Sequence, residues 1–218
     1  MDLIKWTIDD IYTTTKRSAS SDHPVKRQKL FKMPDKMIYN INTEIHFTED
    51  INKESIESII KMITKIINKN DQKYRGGNNK LKITYIVDSP GGSVTAILKF
   101  VDFISLAKKK YPYVEFTSII TGLVASAGTI MCVVADHRYM TPYAHAMIHE
   151  LSSGTQGKFT HMMSYGTFLT DLHNNLVDIY LRKCKKTKDE LEDLLKKETW
   201  YSAKDYLEAG FVDKIIEV

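Results

Sequence analysis

Apolar and polar positions fall in alternating blocks along this chain. Residues 37–47 are rich in β-forming side chains, with Ile38, Tyr39, Ile41, Ile45 and Phe47. Over 51–67 the apolar positions 56, 59, 60, 63, 66 and 67 make one helical stripe. Residues 68–79 are polar, carry Gly76-Gly77 and predict a loop. The run Leu-Lys-Ile-Thr-Tyr-Ile-Val at 81–87 predicts a strand. Residues 93–107 predict a helix with Val94, Ile97, Leu98, Val101 and Ile104 on one side. A buried strand over 114–120, a turn at Thr121-Gly122 and a buried helix from Ser126 follow. A short strand at 146–148 precedes long helical patterns at 159–181 and 188–195. Ser202 opens another helix, Gly210 ends it, and 211–216 reads as a last strand. Strands alternating with crossover helices predict an α/β fold with a largely parallel sheet.

One stretch has a second reading. Residues 116–135 carry no charge, which matches the length of a membrane span. Thr117, Ser118, Thr121, Gly122, Ser126, Gly128 and Thr129 interrupt it, so a strand, turn and helix in a protein core explain it better. No membrane partner is expected.

The 218 residues suit one domain with an appendage. Hydrophobic residues at 43% and charged residues at 27% exclude a disordered or collagen-like chain. Cys132 and Cys184 are too few for a disulfide framework or a four-cysteine zinc site, and they suit a reducing, cytoplasmic compartment. The net charge of +4 does not by itself imply nucleic acid. The basic excess is local: Lys16, Arg17, Lys26, Arg27, Lys29 and Lys32 stand against Asp22. This divides the chain into a basic, flexible arm over 1–36 and a globular part over 37–218. A two-part nuclear address is an alternative reading of the arm. The first residues, with Asp2, Lys5, Asp9 and Asp10, offer no apolar secretory core.

Candidate chemistry lies where predicted strands run into predicted helices, the place where open α/β sheets form ligand sites. Asp88-Ser89-Pro90-Gly91-Gly92-Ser93 turns the backbone tightly and exposes N–H groups near a helix start. That suits a phosphate, a carboxylate or a developing oxyanion. A plain turn with Ser93 as helix cap is the alternative. Gly122-Leu123-Val124-Ala125-Ser126-Ala127-Gly128-Thr129 sets a serine among small residues, open to a substrate backbone or simply tightly packed. It is not a Gly-x-Ser-x-Gly elbow, because position 124 is valine. A serine nucleophile needs a base. Of seven histidines, His149 follows the apolar run Ala146-Met147-Ile148 and can enter the same crevice, although a core histidine also fits there.

At these residues the chain resembles the proteolytic subunit of the Clp-type serine proteases. The segments are YIVDSPGGSVTA at 85–96, GLVASAGT at 122–129, MIHE at 147–150, SSGTQGKFTH at 152–161 and WYSAKDYLEAGFVDKI at 200–215. The likeness covers 37–218. It implies the repeated ββα units shared with crotonase-like enzymes, plus a protruding handle helix at 159–181. It implies Ser126 as nucleophile, His149 as general base and then acid, and the N–H groups of Gly92 and Ala127 as oxyanion hole. It also implies a substrate that lies extended beside Gly91-Gly92 and a strand from Leu151 to Gly157. The resemblance implies polypeptide substrates, a homo-oligomer of stacked rings and a hexameric ATPase, with no cofactor, metal or nucleic acid.

The third triad member of that family is an Asp before the C-terminal helix. Counted back from Trp200-Tyr201-Ser202-Ala203, the place falls on Leu194, with Asp193 adjacent. One residue turns a helix position by about 100°, so Asp193 is the first candidate and Asp171 and Asp178 are weaker ones. The residue after His149 also departs from the family, being Glu150. A catalytically impaired ring subunit, a serine–lysine membrane peptidase and a crotonase-like acyl-CoA enzyme stay open as alternatives.

Overall fold

The computed structural model describes residues 38–217, and the basic arm lies outside them. Eight strands and six helices occur among the described residues. Strands β1 (Ile38–Ile41) and β2 (Glu44–Phe47) form a hairpin, with Asn42 at φ 54° in its turn. From β2 the sheet runs parallel through β3 (Leu81–Ser89), β4 (Val114–Ala125) and β5 (His137–Met140) to β8 (Lys214–Ile215). The far half of β4 pairs in parallel with β6 (His145–Ile148), and β6 pairs antiparallel with β7 (Thr199–Ser202). The fold is α/β, as the alternation of elements predicts.

The core follows from the pattern. In β3, Leu81, Ile83, Tyr85, Val87 and Ser89 are buried at every second position. Helix α1 (Lys53–Tyr74) buries Ile56, Ile59, Ile63, Ile66 and Ile67, the predicted stripe. A capping box between Asn52 and Ser55 starts it. Helix α2 (Val94–Lys110) buries Ile97, Phe100 and Ile104. Short α3 (Ala127–Val133) is buried throughout. Helix α4 (Phe159–Leu181) buries only residues of its C-terminal half, Leu172, Val177, Ile179 and Tyr180. Its first turns expose Phe159, Met162, Met163 and Phe168. Helices α5 (Lys188–Lys196) and α6 (Ala203–Glu208) flank β7.

Several elements differ from expectation. Helix α1 runs seven residues past 67 into the expected loop, because Asn70 bonds back to the Ile66 carbonyl and Asp71 pairs with Arg75. The polar residues there occupy its solvent face. The expected turn at Thr121-Gly122 lies inside β4. Leu123 N–H donates to the Asp88 carboxylate across a register irregularity between Val87 and Ser89, so the strand carries on past it. Strands β5 and β7 add to the elements that the sequence pattern predicts. No helix among the described residues is long and apolar enough to cross a membrane.

Candidate active site

Two chain reversals and the end of a third strand meet at one end of the sheet. The first follows β3. Gly91, at φ 95°, donates its N–H to Ser89 Oγ and accepts from Ile51 N–H at 2.7 Å. A Cβ on Gly91 would stand 2.5 Å from the Ala125 carbonyl oxygen and 2.8 Å from Ser126 Cβ. Only glycine lets this segment lie so close to Ser126. Gly92 follows at φ 142°, and its N–H has no acceptor among the described residues. Ser93 caps α2.

The second reversal joins β4 to α3 at Ser126. Its backbone, at φ 53° and ψ −126°, lies where non-glycine residues are strained by about 1–3 kcal/mol. Two backbone hydrogen bonds help to hold it there. Ser126 N–H donates to the Met147 carbonyl at 2.9 Å, and its own carbonyl accepts from Thr129 N–H at 3.0 Å. Ala127 is the first residue of α3, so its N–H has no acceptor within the helix.

The third element is β6. Its parallel register places Ala125 beside Met147. The chain then needs only two more residues to reach His149. His149 Nε2 stands 2.7 Å from Ser126 Oγ. With the ring protonated on Nδ1, Nε2 accepts the serine hydroxyl proton. The pair opens onto a cleft of about 250 Å³ that Gly92, Ala127 and Leu151 also line. Its walls are mostly apolar, with Val94, Ile97, Ile130 and Leu176. Nearby Cys132 in α3 is no rival nucleophile: burial pushes its thiol far above the ordinary range and keeps it protonated. Among the described residues no three His, Cys, Asp or Glu side chains are grouped to hold a metal ion.

A hydroxyl, an imidazole and unpaired amides on glycine-rich strand ends are the parts of an acyl-transfer site. The Clp protease family model matches residues 28–218. The chain belongs to the Clp protease family. It is 30% identical over 138 residues to the ATP-dependent Clp protease proteolytic subunit 1 of Protochlamydia amoebophila (strain UWE25). That match spans 62% of this chain and 65% of the relative. The protein of the same description in Chlamydia trachomatis serovar D is 29% identical over 138 residues, spanning 62% of this chain and 69% of the relative. The chain thus covers about two-thirds of the length of these Clp protease relatives.

Against the family pattern, the structure brings Ser126, His149, Gly92 and Ala127 to one cleft and leaves other expected residues elsewhere. Asp193 is a correction. Helix α5 turns Leu191 and Leu195 inward, which puts Asp193 on the opposite face. Its side chain is 66% exposed and faces Lys196 at 3.8 Å. Asp171 and Asp178 are exposed on α4. No carboxylate oxygen among the described residues lies within 4.0 Å of a His149 ring nitrogen. Gly91 uses its N–H and its carbonyl within the chain rather than offering both to a substrate. Residues 151–157 form no strand and pair with no strand among the described residues.

Sequence reasoning missed Glu198. It lies at φ 49° in the turn between α5 and β7, directly before Thr199, which pairs with Ile148. Glu198 lines a second cavity, of about 340 Å³, together with His149, Glu150 and Leu195. The signal was available in the acid preceding Thr199-Trp200-Tyr201, but using it required β7 as a strand.

Proposed function

We propose that this chain is a serine endopeptidase subunit that hydrolyses unfolded polypeptides, with residues 37–218 as its catalytic domain. The observation that carries the reading is the 2.7 Å contact between Ser126 Oγ and His149 Nε2. Ser126 Oγ attacks the scissile carbonyl while His149 Nε2 takes its proton. The carbonyl oxygen becomes an oxyanion, held by the N–H groups of Gly92 and Ala127. His149 then gives the proton to the departing amine, leaving an acyl-serine that water hydrolyses by the same route. The apolar cleft favours an apolar side chain next to the bond cut. Glu198 is the orienting carboxylate of the site, reaching the free edge of the imidazole by side-chain rotation.

The same proposal includes a ring of identical subunits, stacked through α4, and a hexameric ATPase that feeds it, in a cytoplasmic compartment. Support for the ring comes from the exposed Phe159, Met162, Met163 and Phe168, which a partner would cover. Support for the ATPase comes from family membership and from the words "ATP-dependent" in the relatives' names.

A fluorophosphonate probe tests the chemistry. Labelling of the wild-type chain at Ser126, abolished in Ser126→Ala and in His149→Ala, is the expected result. A second reading, a catalytically impaired ring subunit, draws on the lack of a carboxylate within 4.0 Å of His149. An assembled wild-type oligomer that takes no label favours that second reading.

A further inference from the structure

The nucleophile residue is tied to α4 by a buried chain of hydroxyls. Thr129 Oγ1 donates to the Ser126 carbonyl at 2.6 Å, so its only proton is committed. Thr129 Oγ1 also meets Tyr180 Oη, and in that bond Tyr180 must therefore be the donor. Both residues are buried, Thr129 at 0% and Tyr180 at 3% exposure. Burial pushes the Tyr180 phenol well above its ordinary range, so the donating proton stays in place.

We infer that Tyr180 is a positioning residue for the proposed hydrolase, acting through Thr129 to hold Ser126 in its strained backbone conformation. The inference rests on the serine-hydrolase reading. Ser126 at φ 53° needs partners that over-determine it. Met147 fixes its N–H, and Thr129 fixes its carbonyl twice, through N–H at 3.0 Å and Oγ1 at 2.6 Å. Tyr180 polarises and orients the Oγ1 donor from outside. Because Tyr180 lies on α4, the helix whose other end is apolar and exposed, a displacement of α4 would be felt at the serine.

The experiment is a double-mutant cycle on the full chain with Tyr180→Phe, Thr129→Val and the pair. Phe keeps the ring that packs edge-on against Phe211. The readouts are the rate of diisopropyl fluorophosphate labelling at Ser126, kcat and KM on a small peptide ester, and the thermal melt. Tyr180→Phe is expected to slow labelling and lower kcat about tenfold, the scale of one buried hydrogen bond, with KM unchanged. The double variant is expected to label no more slowly than Thr129→Val alone. Wild-type labelling rate in folded Tyr180→Phe, with only the melt lowered, reduces the hydroxyl to a structural bond and overturns the inference. So does a double variant whose loss is the product of the single losses. A wild-type chain that takes no label defeats the hydrolase reading itself, and the inference falls with it.

Discussion

His149 and Glu198 each stand one residue beyond the last paired rung of β6 and β7, Ile148 opposite Thr199, and both line the same cavity. Glu198, at φ 49°, has left the extended conformation of β7, so its carboxylate meets the imidazole only by rotating into the cavity they share. Glu198→Gln is therefore expected to lower kcat by at least about tenfold, toward the roughly 10⁴-fold loss known when the orienting acid of a serine protease is removed. Asp193→Asn, on the opposite face of α5, is expected to change it less than about twofold. Steady-state kinetics on a peptide ester measures both, and the reverse ranking would return the role to Asp193.

Gly91 separates clash from strain. A methyl group there meets the Ala125 carbonyl oxygen at 2.5 Å, on top of φ 95°. Gly76, at φ 79°, has nothing within 4 Å. Gly76→Ala should cost about 1 kcal/mol, the backbone term alone. Gly91→Ala should cost at least about 2 kcal/mol, lowering the melting temperature by roughly 4–8 °C, and it should displace Ser126 enough to slow labelling. Differential scanning calorimetry with the labelling assay checks this. Equal melts for the two variants would mean that the loop relaxes freely.

Where burial followed a strict period, the sequence carried the fold. Ile56, Ile59, Ile63, Ile66 and Ile67 announced α1, and Leu81, Ile83, Tyr85 and Val87 announced β3, because each element has one face on a single core. Period failed where pairing, rather than a hydrophobic face, makes the element. Four-residue β7 owes its place to β6, and only Tyr201 within it is buried. Missing it hid Glu198. The pairing of Ser126 with His149 was legible as candidates, since both follow strands. The contact itself depends on the β4–β6 register and on the strained φ of Ser126, which no local pattern encodes. Thr129 and Tyr180 are 51 positions apart and meet only through packing.

Arg138 and Asp213 give a pH signature for the C-terminal segment. The Arg138 guanidinium donates to Asp213 and to the carbonyls of Lys183, Gly210 and Phe211. Partial burial alone would raise the Asp213 carboxyl, but the hydrogen bonds and charge of Arg138 override this and hold it below its ordinary value. A carboxyl lowered in the folded state stabilises that state above the unfolded pKa, and the benefit fades as pH falls through the folded one. Asp213→Asn should thus melt below wild type at pH 7. The gap should narrow below about pH 4, the ordinary range of an aspartate, as wild type loses the charge. Melts between pH 7 and pH 3 measure the gap, and a constant difference would show that the carboxylate acts without its charge.

The exposed half of α4 makes the last prediction. Phe159, at 76% exposure, shares one helix face with Met162 and Met163, and Phe168 lies on another beside Tyr165. Apolar surface on more than one face of a helix suits insertion between partners better than packing on one sheet. A charged residue in such a seam is left desolvated and unpaired, which costs several kcal/mol per subunit. In a ring every subunit carries the same lesion, so the penalty multiplies. Wild type is expected to sediment as an assembly many times its 25.1 kDa chain, and Phe159→Glu combined with Met163→Glu should shift it to smaller species. The secondary structure should be unchanged by circular dichroism, because neither side chain contributes to the chain's own core. Wild type sedimenting as a 25.1 kDa monomer at micromolar concentration would remove the assembly from the proposal while leaving the Ser126–His149 chemistry to be judged by the probe.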